Sequence, residues 1–493
     1  PLSLVGSEMC IRDSNNLVHI EKFIISNSKR AIKFSDRFCI DSRKVKSGQI
    51  FISIDSDESK NFKNIKNAIF NGASGFVTQF LYKRSDLKTS IPFLIQKNLD
   101  NLFHMLFNVD LIGYKHKVKT IGITGTNGKT SSVLLLAQSL TYLKKKVGVI
   151  TSEGCGIYPA LVDSDYTTPP IDVIYKYYRN FVSKKCDYII IECSSQGLHQ
   201  GRVKGLSFDY ACITNIHSDH LDYHKTIKNY SNSKLSILKQ SKKAILNYDS
   251  SILMKNNFDK YRNLECFYFS KSRYKNKKII SRHMKDNKIL INNHVVTFDK
   301  AKKNHFNIYS LLMICSILKL ENYGMKLINS SITALCELPG RRQVIRTRSK
   351  GTFIIDYAHT IQSFRDIYKE FKSYDHITTL FGCGGDRDPS KRAVIGKIVD
   401  SNSSFSIITE DNSRNEKLSS IVNNITSGFN HKKRYIVIKS RKTAIKHLFT
   451  YSSKKHINFI LGKGNESYLI KNSSKVKHND IIYLNNLINN YES

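Results

Sequence analysis

The alternation of apolar and polar positions divides the chain into three stretches of different character. From about 15 to 115, short β-type runs such as Ile50 to Ile54 and Gly75 to Val77 stand between polar stretches. From 118 a β-rich run, Lys119 to Thr124, leads into a glycine-containing turn and an apolar helical stretch through Val133 to Ala137. Strand-like runs return at Tyr188 to Ile191 and Tyr210 to Thr214, an alternation that predicts a parallel sheet wrapped by helices. Ile308 to Leu320 is nearly apolar but is broken by Tyr309, Ser310, Ser316 and Lys319, and it reads as a core helix. After Pro339-Gly340-Arg341-Arg342 a second α/β alternation begins, with strand-like runs at Thr352 to Ile355, Thr378 to Phe381, Phe405 to Ile408 and Ile457 to Leu461.

Length agrees with this division: 493 residues suggest about three domains. With 40% hydrophobic residues each can bury a core, and no run of about 18 apolar residues exists to span a membrane. The formal charge of +38 invites a polyanion-binding reading. However, the Lys residues are scattered, and abundant Lys, Asn, Ile and Tyr with 7 Pro and no Trp is the skew of an A/T-rich genome. Codon bias is therefore favoured over a nucleic-acid face. The ten Cys form no CxxC pair and no metal-ligand spacing, which fits reduced thiols in a cytoplasmic enzyme. The first fourteen residues, PLSLVGSEMCIRDS, lack an initiator Met and read as translated sequencing-adapter read-through, so 1–14 is set aside as a non-native leader.

The turn after Thr124 carries the most specific chemistry. Gly125-Thr126-Asn127-Gly128-Lys129-Thr130-Ser131 sits between a strand and a helix, the context a phosphate loop needs. Glycines let backbone N–H groups turn inward around phosphates, and the helix N-terminus adds partial positive charge. Lys129 can reach the β- and γ-phosphates of ATP and Thr130 can ligate Mg²⁺. Ile123 stands where the general P-loop pattern has its first Gly.

A second group follows. Glu192 ends the Tyr188 run, at the edge of an open α/β sheet where ligands bind, and a charge there must be paired or metal-bound. Cys193-Ser194-Ser195-Gln196-Gly197-Leu198 and Gln200-Gly201-Arg202 come next. Past the next strand, His220 stands beside Asp219 and Asp222 in a run ending at His224, and Lys234 lies ten residues beyond that. In the last third, Asp356-Tyr357-Ala358-His359-Thr360 and Asp411-Asn412-Ser413-Arg414 follow strand ends.

Taken in order, TGTNGKT, ExSSxGLxQGR, TNxxxDHLDYH with a later Y-x-x-x-K, PGR, DYAHT, GCGGDRD, DNxR and GKGxE resemble the Mur ligase family, over essentially all residues from about 40 to 470. The similarity is greatest to the tripeptide-forming, diaminopimelate-adding branch. The resemblance implies an α/β fold of three domains: an N-terminal UDP-binding domain at 15–117 (carrying DSRKVKSGQIFISI), a central P-loop ATPase-like parallel sheet at 118–338, and a C-terminal Rossmann-like amino-acid-binding domain at 339–493. It implies an ATP-dependent amide ligase of peptidoglycan precursor synthesis that joins the D-Glu γ-carboxylate of UDP-MurNAc-L-Ala-D-Glu to meso-diaminopimelate through an acyl-phosphate.

The family's pattern also assigns residues. Lys129, Glu192, His220, Lys234 and Arg341 would carry catalysis. Gly125 to Ser131, Asn247, Asp249, Asp356 and His359 would meet ATP. Ser42, Thr167, Thr168, Ser194, Gln200 and Arg202 would meet the UDP-linked dipeptide. Arg392, Asp411, Asn412, Arg414, Gly462 and Glu466 would meet diaminopimelate, with Arg414 pairing its distal carboxylate through a planar fork. Two Mg²⁺ would be held by Thr130, Glu192, His220 and a carbamylated Lys234. The chain departs from the pattern at Asn304, Ser310, Ile361, Ser413 and Asn465. A cytoplasmic monomer that acts on small molecules, without nucleic acid or membrane, is expected. A folylpolyglutamate synthase, which lacks the UDP-binding domain, and a basic P-loop nucleic-acid-binding ATPase are the alternatives.

Overall fold

The computed structural model describes residues 24, 26–27, 37–109, 118–261, 263–272, 278–284, 287–298, 306–371, 374, 376–431, 434–472 and 474–492. The leader at 1–14 and the departure at Asn304 lie outside them. The chain forms three main sheets. In the first, β1 (Phe38–Cys39), β2 (Ile50–Ile52), β3 (Gly75–Thr78) and β4 (Phe93–Ile95) pair in parallel in that order.

The second sheet is the largest. Its strands are β5 (Lys119–Thr124), β6 (Val147–Thr151), β7 (Gly154–Ile157), β8 (Ala160–Val162), β9 (Tyr188–Glu192), β10 (Phe208–Ile213), β11 (Ser241–Asn247), β12 (Glu265–Ser270), β13 (Ile279–His283), β14 (Lys288–Ile291) and β15 (His294–Thr297). Their order is β15-β14-β13-β12-β11-β10-β5-β9-β6-β7-β8. The run from β13 to β6 is parallel, as expected from near-continuous apolar strands buried on both faces. Antiparallel ribbons extend both ends, β14–β15 on one side and β7–β8 on the other. The expected parallel sheet is thus present, and the ribbons add to it short strands that carry little apolar signal.

The third sheet has β16 (Gln343–Arg346), β17 (Thr352–Asp356), β18 (Ile377–Phe381), β19 (Phe405–Ile408), β20 (Tyr435–Val437) and β21 (Ile457–Leu461), in the order β16-β17-β21-β18-β19-β20. Only β16 runs antiparallel. A hairpin, β22 (Tyr468–Lys471) and β23 (Ser474–Lys477), stands beside it. The helix at Ile308–Leu320 matches the sequence reading, its Leu311 to Leu318 face buried between central strands and the helix that follows the phosphate loop.

Packing joins the first two sheets into one apolar body. The helix Ile171–Ser183 buries Tyr175 against Phe38, with ring centroids 5.0 Å apart, and against Phe107 at 5.4 Å. Tilted and edge-on aromatic pairs of this kind add to the stabilisation from area burial alone. In the third sheet, position is fixed by a buried charge pair. Arg441, at the start of the helix Arg441–Tyr451, is fully buried with Asp480 at 2.8 Å. The guanidinium also donates to the carbonyls of Glu410 and Leu461, so one fork ties the ends of β19 and β21, which carry the site loops, to the C-terminal helix.

Removing Asp480's charge strands a buried cation. Asp480→Asn should therefore lower the unfolding free energy by about 3–5 kcal/mol in urea denaturation of the full chain followed by circular dichroism. The carboxyl is held down at about 2: burial opposes this, but Arg441 and His478 outweigh it. With a folded pKa below the unfolded one, its stabilisation is complete above the ordinary value of about 4 and is lost as pH falls toward 2. The variant should flatten that acid limb, and an unchanged limb would place the acid sensitivity elsewhere.

Candidate functional site

The central sheet presents the carboxyl ends of β5, β6, β9 and β10 at one edge, and the third sheet turns the ends of β17, β18, β19 and β21 toward them. Ligands bind at such ends because the loops leaving parallel strands are free to diverge there. A cleft of about 450 Å³ opens between the two, lined by Thr126 to Ser131, Glu192, His220, Arg341, Asp356 and His359 among others. A smaller pocket of about 150 Å³ adjoins it and shares His220, Tyr357, His359 and Arg387 with it.

The phosphate loop is built where β5 meets the helix Lys129–Tyr142. Gly125 and Gly128 adopt positive φ of 150° and 81°, and a Cβ on Gly125 would lie 1.8 Å from Thr214 Oγ1, so the loop tolerates no side chain at Gly125. Asn127 is anchored from the far side, its N–H donating to Asn215 Oδ1 at 3.0 Å. Lys129 curls back over the loop and donates to the carbonyls of Gly125 and Thr126 at 3.0 and 2.9 Å. Burial lowers its pKa, opposed by Glu192 and Asp219. Ser131 also lines the cleft.

Glu192 is 1% exposed, yet no cation among the described residues is bonded to it. Its carboxylate accepts from the hydroxyls of Thr130 at 3.0 and 3.1 Å, of Thr151 at 2.5 Å and of Ser152 at 3.3 Å, and from Ser152 N–H at 3.1 Å. Neutral donors alone compensate a buried anion poorly, so the cluster of hard oxygens suits a hard divalent cation such as Mg²⁺. Among the described residues no three His, Cys, Asp or Glu side chains converge as a ready-made cage.

Lys234 is 1% exposed, donates to Gly125 O at 2.7 Å and lies 4.6 Å above the Tyr230 ring. Burial, with Lys129 nearby, pushes its pKa well below the ordinary ammonium value. As a cation it is a poor metal neighbour. As a carbamate it would add two oxygens, so the second metal site fits only the modified side chain. His220, in left-handed backbone at φ 54°, meets Gln196 at 3.3 Å and Asp219 at 3.5 Å, and burial holds it down at about 4.

The expected substrate residues divide. Thr167, Thr168, Ser194 and Arg202 line the larger cavity. Thr168 Oγ1 donates to Glu192 O at 2.7 Å, Ser194 caps the helix Ser195–His199, and Arg202 donates to Thr168 O at 2.6 Å. Gln200 instead donates to Tyr223 OH and lies outside both cavities, as does Ser42, which is buried and hydrogen-bonded to Asn64 and Asn71. Asn247 and Asp249 also line neither cavity. Asn247 bonds Thr214 O, and Asp249 accepts from Ser270 and Lys271.

In the smaller pocket, Asp411, Asn412, Arg414, Gly462 and Glu466 come together as expected. Asn412 Nδ2 donates to Glu466 at 3.1 Å, and Glu466 accepts from Tyr357 OH at 2.8 Å. Arg414, at φ 52°, donates to Gly385 O at 2.6 Å. Arg392 does not join them. It is 1% exposed and its fork is spent on Glu416 at 2.6 and 2.7 Å and on Gly384 O, which makes it scaffold for the Gly384 loop. The second guanidinium facing the pocket is Arg387, half-exposed and bonded to Asp222 at 3.2 Å. The sequence offered both Arg residues within one short run, and only the helix start at Ser390 decides which of them points inward.

Two departures from the expected pattern are locally absorbed. Ile361 occupies the first position of the helix Ile361–Glu370, with Thr360 as N-cap in a capping box with Ser363. Pro suits that position without being required there. Ser310 lies behind the phosphate loop and accepts from Ser132 at 2.9 Å.

Residues 123–316 match the model of the Mur ligase middle domain, and residues 340–464 that of the Mur ligase glutamate ligase domain. A UDP-N-acetylmuramoyl-L-alanyl-D-glutamate–2,6-diaminopimelate ligase of Clostridium tetani is 31% identical over 443 residues, 87% of this chain and 90% of its own. The enzyme of that name from Buchnera aphidicola subsp. Schizaphis graminum is 33% identical over 495 residues, 94% of this chain and 97% of its own. A solved structure under the same name superposes with a TM-score of 0.66 at 24% identity, covering 96% of this chain and 99% of that one, which speaks for the fold. On identity and coverage of this extent, the chain belongs to the Mur ligase family.

Proposed function

We propose that this chain joins the D-Glu γ-carboxylate of UDP-MurNAc-L-Ala-D-Glu to meso-diaminopimelate with hydrolysis of ATP to ADP and phosphate, as a monomer in the cytoplasm. Its working units are 15–117, 118–338 and 339–493. The observation that carries the reading is the pairing of two cavities. A phosphate loop opens onto one, which Lys129 and Arg341 line, and the other sets Arg387 and Arg414 among Asp219, Asp222, Asp411 and Glu466. Guanidinium groups among carboxylates suit a ligand that bears both carboxylates and ammonium groups, which a diamino dicarboxylate does.

The γ-carboxylate attacks the γ-phosphorus of ATP, giving an acyl-phosphate and ADP. The free amine of diaminopimelate then attacks the acyl carbon, a tetrahedral intermediate forms, and phosphate leaves. The chain's part is positioning and charge compensation. Lys129 releases the loop carbonyls and turns to the phosphates, and Arg341 meets the γ-phosphate from the opposite wall. Mg²⁺, held by Thr130 and Glu192 and by His220 with carbamylated Lys234, would supply positive charge between the phosphate and the attacking carboxylate. The buried amine of Lys234 reacts with CO₂ in its neutral form, losing one proton as the carbamate forms, and burial favours that form.

The distinguishing experiment offers the UDP-linked dipeptide with ATP and, in competition, diaminopimelate and lysine. A folylpolyglutamate synthase would instead release ADP only with folate and glutamate. A nucleic-acid ATPase would be stimulated by DNA or RNA in a steeply salt-dependent way.

Three substitutions test the assignment. Lys129→Ala should abolish turnover while thermal unfolding stays as in wild type, and near-full activity would remove the phosphate-loop role. Lys234→Ala should be inactive and partly regain activity with a short carboxylic acid. An unmodified mass for wild type, together with no rescue, would remove the carbamate. Arg414→Ala should lose discrimination between diaminopimelate and lysine by about 30- to 1000-fold in kcat/KM, since a buried bidentate carboxylate pair contributes about 2–4 kcal/mol. A change in that ratio of less than about threefold would make Arg414 a bystander.

A further inference from the structure

Glu153 lies at the turn between β6 and β7, outside every motif identified in the sequence. Its two carboxylate oxygens reach across to two different parts of the C-terminal unit. Oε1 accepts from Arg341 Nη2 at 3.0 Å, and Oε2 accepts from Asn465 Nδ2 at 2.9 Å. Arg341 stacks its guanidinium 4.3 Å from the centre of the Tyr357 ring. Tyr357 OH in turn donates to Glu466, the residue beside Asn465 and part of the smaller pocket. These contacts close a ring from Glu153 through Arg341, Tyr357, Glu466 and Asn465 back to Glu153, running from the larger cavity to the smaller one.

Arg341 Nε is buried with no hydrogen-bond partner among the described residues, and Arg341 lines the larger cavity. An unpartnered buried N–H of a guanidinium is costly unless an acceptor arrives. Glu153 holds Nη2 and Tyr357 covers the face, and Nε itself is shielded, so Nε gains an acceptor only if the side chain shifts.

We infer that Glu153 is a positioning residue that couples the two cavities. It fixes Arg341 on the wall of the nucleotide cavity, and through Asn465 it holds the Gly462–Glu466 loop in the arrangement the diamino acid needs. Nucleotide binding that tightens Arg341 thereby orders the loop, and binding in the smaller pocket steadies Arg341 in return, since coupling between two sites is reciprocal. Asn465 stands where the resembling pattern has His, and its amide gives Glu153 a donor with no titration near neutral pH.

This inference rests on the functional reading above, and its test has one readout that needs no turnover. Hydrogen–deuterium exchange of the Gly462–Glu466 loop is followed in the full chain with and without a non-hydrolysable ATP analogue, for wild type, Glu153→Ala, Glu153→Gln and Asn465→Ala. Wild type should gain protection in this loop on adding the nucleotide. Glu153→Ala and Asn465→Ala should not, although both still bind the analogue, and Glu153→Gln should retain part of the gain. In steady-state assays Glu153→Ala should lower kcat by about tenfold or more, which corresponds to about 1.4 kcal/mol in the barrier, with KM for the UDP-linked dipeptide unchanged. The double variant Glu153→Ala/Asn465→Ala should be no worse than Glu153→Ala alone.

Equal loop protection in wild type and Glu153→Ala overturns the coupling. So does a Glu153→Ala defect that appears only as a lower melting temperature with kcat and all KM values unchanged. Wild type that gains nucleotide-dependent protection but forms no peptide product would leave the coupling standing and remove the proposed reaction.

Discussion

Three basic side chains, Lys129, Lys234 and Arg341, are gathered at the carboxyl edge of one parallel sheet, and the cost of keeping charge on them there is the constraint the rest of the structure answers. Burial lowers the proton affinity of both lysines; Lys129 adds to this at Lys234, and Arg341 adds to it at Lys129. The fold offsets this with acceptors of limited charge: the carbonyls of Gly125 and Thr126 for the two lysines, and Glu153 for the arginine. Glu192, the central buried anion, is meanwhile satisfied by hydroxyls and not by any of the three. A pocket lined by Lys129 and Arg341, with its carboxylate held by hydroxyls, suits a polyanion, and a metal bound with it would resolve both imbalances at once.

That arrangement explains why the third sheet must come so close. Asp219 pairs with Lys391 at 3.7 Å and Asp222 with Arg387 at 3.2 Å, while Thr360 reaches Asn127 at 3.2 Å. Each contact crosses from the central to the C-terminal unit, and each involves a residue that lines one of the two cavities or its immediate neighbour. None is a large apolar contact. Polar, partly solvated contacts between domains are weak individually and can be remade, as expected where substrates enter and products leave between two rigid bodies. The apolar packing lies elsewhere, between the first two sheets through Phe38, Phe107 and Tyr175.

Much of this was legible in the sequence. Strong apolar runs located β9, β17, β19 and β21 and the helix Ile308–Leu320 almost to the residue, because strands buried on both faces admit few polar positions. The phosphate loop was legible because a strand, two glycines, a lysine and a helix leave little conformational choice. What escaped was set by tertiary geometry. Arg387 and Arg392 are five residues apart in one polar run, and nothing local says that one is buried against Glu416 while the other faces a cavity. Asn247, Asp249, Ser42 and Gln200 carry the right side chains for polar recognition, but their hydrogen bonds are taken by Thr214, Ser270 and Lys271, Asn64 and Tyr223. Glu153 was invisible for the opposite reason: it belongs to no motif, and only the approach of two units gives it partners.

The departures from the family's pattern point the same way. Ile361 stands where a helix begins and needs only a residue compatible with the first turn, since Thr360 supplies the cap. Ser310 is small enough to sit behind the phosphate loop and meets a hydroxyl already there. Asn465 keeps a donor, and the structure supplies an acceptor for it. In each case the substituted side chain is required for local hydrogen bonding or space, which several residue types can satisfy. Lys129, Glu192, Lys234, Arg341 and Arg414, where charge itself is what the chemistry needs, match the pattern. A chain drifting under a strong bias toward Lys, Asn and Ile can change the first kind of position freely. At the second kind, a replacement strips partners already in place: the carbonyls that hold Lys129, Lys234 and Arg414, the hydroxyls that hold Glu192 and the carboxylate of Glu153 that holds Arg341.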